Sequence, residues 1–183
     1  MVVSVYLGSS GSCAGKYKSL AYELGKLIAL KGHTLCYGGA TAGTMGDLAD
    51  GAQENGGKVI GVYPEGFLGT KEMREKGVEV RHNHLDKMYE VADFAQRKQL
   101  MEELCDCAVV LPGGIGTMDE LFTFACDYVI EKHSKVIHIL NYEGYYDHLR
   151  EFLLTMDKEK FLKGNLMQAV IFDNSLEELS KFF

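Results

Sequence analysis

No stretch of this 183-residue sequence stays apolar for the roughly 20 residues that a membrane-spanning helix needs. No run of lysines or arginines is longer than the pair Arg97-Lys98. The first absence argues against an integral membrane protein. The second, with 26 acidic residues against 19 basic ones and a net charge of −7, argues against nucleic acid or an anionic membrane as a partner, since both need a basic surface. A small anionic ligand stays possible, because a glycine loop and one or two local cations suffice to hold it. The five cysteines (Cys13, Cys36, Cys105, Cys107 and Cys126) are odd in number and contain no C-x-x-C pair. Unpaired thiols in a reducing cytoplasm are expected. The opening MVVSVYLGSS lacks the basic stretch that precedes the apolar core of a secretory leader, so none is expected. There is no linker, low-complexity segment or internal repeat, and a single domain over residues 1–183 is the reading.

What is present alternates. Short apolar runs at Val2–Leu7, Thr34–Tyr37, Val59–Tyr63, Ala108–Leu111, Val136–Leu140 and Ala169–Phe172 read as strands, with Val78–Arg81 as a short edge strand. Between them lie helical patterns: Leu20 to Ile28, stopped by Gly32; Met45–Asn55; Tyr89–Leu104; Met118 to Val129; Tyr145–Met156; Leu176–Phe182. Strands alternating with helices predict an α/β fold, a mainly parallel sheet covered by helices on both faces.

Three of these strands end in glycines: Gly8-Ser9-Ser10-Gly11, Gly38-Gly39, and Pro112-Gly113-Gly114-Ile115-Gly116. Ligands of open parallel sheets bind beyond the carboxyl ends of the strands, where strand order reverses. Glycines there admit a close approach of backbone N–H groups, and helix N-termini favour phosphate. The familiar motifs fail, however. SGSCAGKY has Ser10 where a Walker loop needs glycine and Tyr17 where it needs Ser or Thr. GIGTMD has Asp119 at the third-glycine position of the dinucleotide fingerprint. His82 and His84 form an H-x-H pair without further ligands in view, so neither a metal nor a nicotinamide cofactor is expected.

Two charged features stand out. On the predicted helix Tyr89–Leu104 the apolar stripe Val91, Phe94, Met101, Leu104 is interrupted by Arg97 and Lys98. Either their stems lie along the surface and their heads reach water, or they wall a cationic pocket. Thr117-Met118-Asp119-Glu120 matches T-x-x-E, a capping box in which Glu120 merely bonds back to the cap. Yet the preceding glycines place that carboxylate within a turn of a predicted anion site, where a sugar attached to a phosphate would lie.

The segments GSS (Gly8–Ser10), YGG (Tyr37–Gly39), MG (Met45–Gly46), RK (Arg97–Lys98), PGGIGTMDE (Pro112–Glu120), HSK (His133–Lys135) and NYEGYYD (Asn141–Asp147) come in one order. In that order they resemble the LOG ("lonely guy") family of cytokinin-activating phosphoribohydrolases, often labelled possible lysine decarboxylases. The resemblance implies a Rossmann-like, usually dimeric domain that hydrolyses the N-glycosidic bond of a purine-type nucleoside 5′-monophosphate, of cytokinin or AMP type. Free base and ribose 5-phosphate are the products. It implies Arg97 and Glu120 as the catalytic pair, and Lys98 with Gly113, Gly114, Ile115, Gly116 and Thr117 as nucleotide contacts. Gly8, Ser9, Ser10, Gly38, Gly39, Met45 and Gly46 join them through the shared segments, and Glu72 matches a substrate-contacting glutamate. Where the family reads M-H-x-R-K this chain has Phe94 and Ala95, and where it reads T-W-x-Q-L it has Cys126 to Ile130. Those positions lie toward the base end in the resembling proteins. The same superfamily holds non-catalytic nucleotide and molybdenum-cofactor carriers, the alternative reading. A decarboxylase lacks support, because no lysine here has a recognisable cofactor-binding context.

Overall fold

Each apolar run is too short for a core helix and too apolar for a surface loop, so a strand buried on both faces is what its composition suits. The computed structural model describes residues 1–67 and 81–183. Among these, the strands are β1 (Val2–Tyr6), β2 (Thr34–Tyr37), β3 (Lys58–Pro64), β4 (Lys87–Val91), β5 (Cys107–Val110), β6 (Ile137–Leu140) and β7 (Val170–Asp173). The longer helices are α1 (Gly15–Leu30), α2 (Thr44–Gln53), α3 (Phe94–Leu104), α4 (Ile115–Val129) and α5 (Asp147–Lys158). Two short ones follow, α6 (Leu166–Ala169) and α7 (Leu176–Ser180).

The seven strands form one sheet in the order β4-β3-β2-β1-β5-β6-β7, every pair parallel. Strand order therefore reverses between β1 and β5. Side chains alternate between the faces. Val3 and Val5 of β1, with Leu35 and Tyr37 of β2, pack in one layer with Leu24 and Ile28 of α1 and Leu48 of α2. Tyr6, Cys36, Val62, Val110 and Ile139 point the other way, against Met101 of α3, Leu121 and Phe124 of α4 and Leu153 of α5. The result is the three-layer, Rossmann-like α/β sandwich. Ser4 of β1 is fully buried inside it, and its hydroxyl donates to the Met101 carbonyl at 2.8 Å.

Three expectations change. Tyr89–Val91 are not the first turn of a helix but part of the edge strand β4, parallel to β3. The helix starts only at Phe94, because Asp93 caps it: the Gln96 N–H donates to Asp93 Oδ1 at 2.8 Å, and Gln96 Oε1 accepts from the Ala92 N–H at 3.2 Å. The expected edge strand Val78–Arg81 lies largely outside the described residues, and its last member, Arg81, makes only an isolated antiparallel bridge to Ala40. Thr117 is not an N-cap. α4 begins at Ile115 with Gly114 in the cap position, so Thr117 and Glu120 both lie inside the helix and no capping box forms.

Candidate active site

The order reversal brings the loops after β1 and β5 side by side: a Cβ built on Gly8 would lie 3.3 Å from the Gly113 Cα. Over these loops and the end of β2 opens a cavity of about 410 Å³, toward the small end of the roughly 300–1,000 Å³ usual for small-molecule sites. Of the residues singled out in the sequence, Gly8, Ser9, Ser10, Gly38, Met45, Arg97, Lys98, Gly114, Ile115, Gly116, Thr117 and Glu120 line it. Glu72 lies outside the described residues. Gly39, Gly46 and Gly113 stand behind the lining, and packing accounts for two of them. A Cβ on Gly46 would lie 2.7 Å from the Thr41 carbonyl oxygen, and one on Gly113 would lie 2.1 Å from Thr117 Oγ1. Glycine at 113 thus makes room for the buried threonine of the next helical turn.

Gly38 has a different purpose. A Cβ there would sit 2.6 Å from Arg97 Nη2, so the missing side chain is the space that the guanidinium occupies. Arg97 is buried, which rules out the reading in which its head reaches water. Its Nη2 donates to Glu120 Oε1 at 2.5 Å across the gap between α3 and α4. Its Nε is buried too and has no hydrogen-bond partner among the described residues. Glu120 is equally buried. Burial pushes its carboxyl up to about 7, with Asp119 adding to the rise, although Arg97 beside it pulls the other way. Such a group changes charge near neutral pH, as an acid–base residue must.

Lys98 also faces the cavity, but its ammonium is engaged. It donates to both carboxylate oxygens of Asp119 at 2.8 Å and to Thr123 Oγ1 at 3.0 Å. The lining therefore holds two cations and two acids, and its attraction for an anion comes mainly from backbone. No side chain caps α4, whose N-terminal N–H groups belong to Gly114–Thr117 on the cavity wall. The loop is held from behind by the NYEGYYD segment. The Tyr145 hydroxyl donates to the Gly113 carbonyl at 2.9 Å, and the Tyr146 hydroxyl donates to the Leu111 carbonyl at 2.7 Å. The HSK segment staples α3 to α4 farther along: Lys135 Nζ donates to the Glu102 carbonyl, and the His133 ring bonds the Phe124 carbonyl at 3.1 Å.

Sequence reasoning overlooked part of the lining: Tyr63, Pro64 and Phe67, which follow from the end of β3. The rule that ligands meet the carboxyl ends of strands could have found Tyr63. Phe94 and Asp119 line it as well. Cys126 and Asp127, by contrast, are not part of the lining: Cys126 is exposed on α4 and Asp127 pairs with Lys132 at 2.9 Å.

A family model described as "Possible lysine decarboxylase" matches residues 45–182. A Rhodococcoides fascians protein named cytokinin riboside 5′-monophosphate phosphoribohydrolase is 35% identical over 175 residues, 96% of this chain and 85% of its own length. The Arabidopsis thaliana protein named cytokinin riboside 5′-monophosphate phosphoribohydrolase LOG4 is 33% identical over 179 residues, 98% of this chain and 80% of its own. Among solved structures, the molybdenum cofactor carrier protein of Chlamydomonas reinhardtii superposes with a TM-score of 0.72 at 23% identity, covering 99% of this chain and 94% of that one. The molybdenum cofactor binding protein of Rippkaea orientalis superposes at 0.71 and 22%, covering 99% and 93%. At such identity these structures share the fold and say nothing of the ligand. With the family model spanning most of the sequence and relatives above 30% identity spanning nearly all of it, the chain belongs to the LOG family, the group described as possible lysine decarboxylases.

Proposed function

We propose that the protein hydrolyses the N-glycosidic bond of a purine-type nucleoside 5′-monophosphate to free base and ribose 5-phosphate. The observation that carries this reading is the buried Arg97–Glu120 pair on the wall of a cavity that the glycine loops after β1 and β5 also line. The names of the relatives supply the same reaction. Breaking the bond builds positive charge on the ribose ring, as in other glycoside hydrolysis. The Glu120 carboxylate stabilises that charge and takes a proton from the attacking water, whose oxygen bonds to C1′. The base leaves with the bonding pair and is protonated from solvent. Arg97, always charged, cannot be the base. Its Nη2 orients Glu120, and its Nε remains as a donor toward the substrate. The amides of Gly114–Thr117 with Ser9 and Ser10 cradle the 5′-phosphate, and Lys98 is held at its edge by Asp119.

The protein acts as a homodimer in the cytoplasm. Along α4 and at its C-cap the exposed side chains Ile115, Phe122, Cys126 and Ile130 make a mainly apolar stripe, broken by Asp119, that leads from the cavity rim. α3 does not share it: of its exposed residues Phe94 lines the cavity, and the others, Ala95, Gln96, Gln99 and Glu103, are mostly polar. All five cysteines are unpaired, as a reducing compartment would keep them. Among the described residues no helix is long and apolar enough to cross a membrane.

Incubation with AMP and with adenosine, followed by chromatography of the released base, tests the reaction. Adenine should come from AMP and hardly at all from adenosine. Equal release from both would remove the phosphate cradle. Tight binding of a monophosphate without any base release would favour a carrier.

A further inference from the structure

The loop after β1 carries Ser9 and Ser10 into the cavity wall, and α2 holds that loop from behind. The helix begins at Thr44, a buried residue whose hydroxyl donates to the Gly8 carbonyl at 2.5 Å. Gly43, in the cap position just before it, has φ +59° and is pressed on the same loop. A Cβ there would lie 2.5 Å from the Ser9 carbonyl carbon and 2.9 Å from that of Ser10, so the loop fills the space of a side chain. Gly8 also touches the second glycine loop at Gly113, whose carbonyl accepts from Tyr145. The two loops of the site are thus tied by two hydroxyls, one at the start of α2 and one in the NYEGYYD segment. Helix formation does not call for the first of them. Thr44 is already inside α2, where it makes no side-chain cap bond. Valine would fill the same buried space, so what threonine adds is the donor. Burying a hydroxyl is costly unless it has a partner, and the Gly8 carbonyl is that partner.

We propose that Thr44 is a positioning residue: through the Gly8 carbonyl it holds the loop after β1 in the conformation that receives the phosphate. This rests on the phosphate cradle of the hydrolase reading and names what orders the cradle on its β1 side. A loop entered through glycine has many backbone conformations open to it. An anion held by backbone N–H groups must bear the cost of ordering them, and a loop already fixed at its first carbonyl spares part of that cost. Thr44 itself stands behind the lining, between Ala42 and Met45 on the cavity wall, so it acts on the ligand only through the loop.

The test is titration calorimetry of the wild type, Thr44→Val and Thr44→Ser with ribose 5-phosphate and AMP, alongside steady-state kinetics of base release. Thr44→Val keeps the shape and removes the donor, so affinity for both ligands should fall about 5-fold, the scale of one hydrogen bond. KM for AMP should rise to match while kcat holds. Thr44→Ser keeps the donor and should bind as the wild type does. Thr44→Ala removes the donor without setting a methyl group against the Gly8 carbonyl, and serves if the valine variant does not fold. Unaltered affinity in a folded variant without the donor, equal weakening in Thr44→Ser, or a fall in kcat at constant KM would overturn the role. So would loss of the fold in both Thr44→Val and Thr44→Ala, or a wild type that binds neither ligand. Binding that depends on Thr44 without any release of base upholds the role and removes the hydrolase reading instead.

Discussion

Glu120 sits inside α4, not at its cap, so its burial beside Arg97 serves no helix-end purpose. Two measurements follow at this scale. Glu120→Gln keeps an acceptor for Arg97 but removes the charge, so turnover should fall at least about 100-fold in a folded protein. Near-normal turnover by that variant would sink the mechanism. In the proposed mechanism the working form is the carboxylate, and burial pushes the carboxyl up to about 7. In the wild type, kcat/KM should therefore rise about tenfold per pH unit below 7 and level above it. A profile flat from pH 5 to 8 would contradict this. At the residue level the sequence was informative about Arg97, which broke an apolar stripe, and misleading about Glu120, whose T-x-x-E spacing imitates a cap. Gly38 was legible as part of a ligand loop, but not as the space that Arg97 fills. Its purpose depends on α3 crossing the end of β2, a tertiary fact that no local pattern holds.

Among elements, the strands and most helices follow from periodicity, and the error at β4 has a plain cause. Tyr89 and Val91 happen to fall in register with the stripe of α3, and five residues are too few for a period of two to outvote one of 3.6. The signal that separates them, Asp93-x-x-Gln96, is present in the sequence as a helix start. The strand order is a different matter, because alternation implies parallel crossovers but not which way the chain turns at β5. The NYEGYYD segment yields a prediction of its own. Tyr145→Phe removes the donor to the Gly113 carbonyl, and the loss of one such bond should raise KM for the nucleotide about 5-fold while kcat changes little. Steady-state kinetics decide it. A fall in kcat at constant KM would place Tyr145 in the chemistry rather than behind the loop.

For the whole molecule, the outward stripe on α4 is the surface that the proposed dimer would bury. Light scattering at micromolar concentration should give twice the chain mass, and Ile130→Glu should give the single mass. Ile130 is 62% exposed, so the charge burdens only the contact and not the fold. A wild-type monomer would remove the dimer. The loop behind the phosphate site has a further consequence. A peptide unit is planar and trans, so fixing the Gly113 carbonyl onto Tyr145 also fixes the Gly114 N–H in the opposite direction. The proposed cradle would thus be set before any ligand arrives, with little means of telling a nucleotide from its phosphorylated sugar fragment. Ribose 5-phosphate should then compete with substrate, which inhibition kinetics would show.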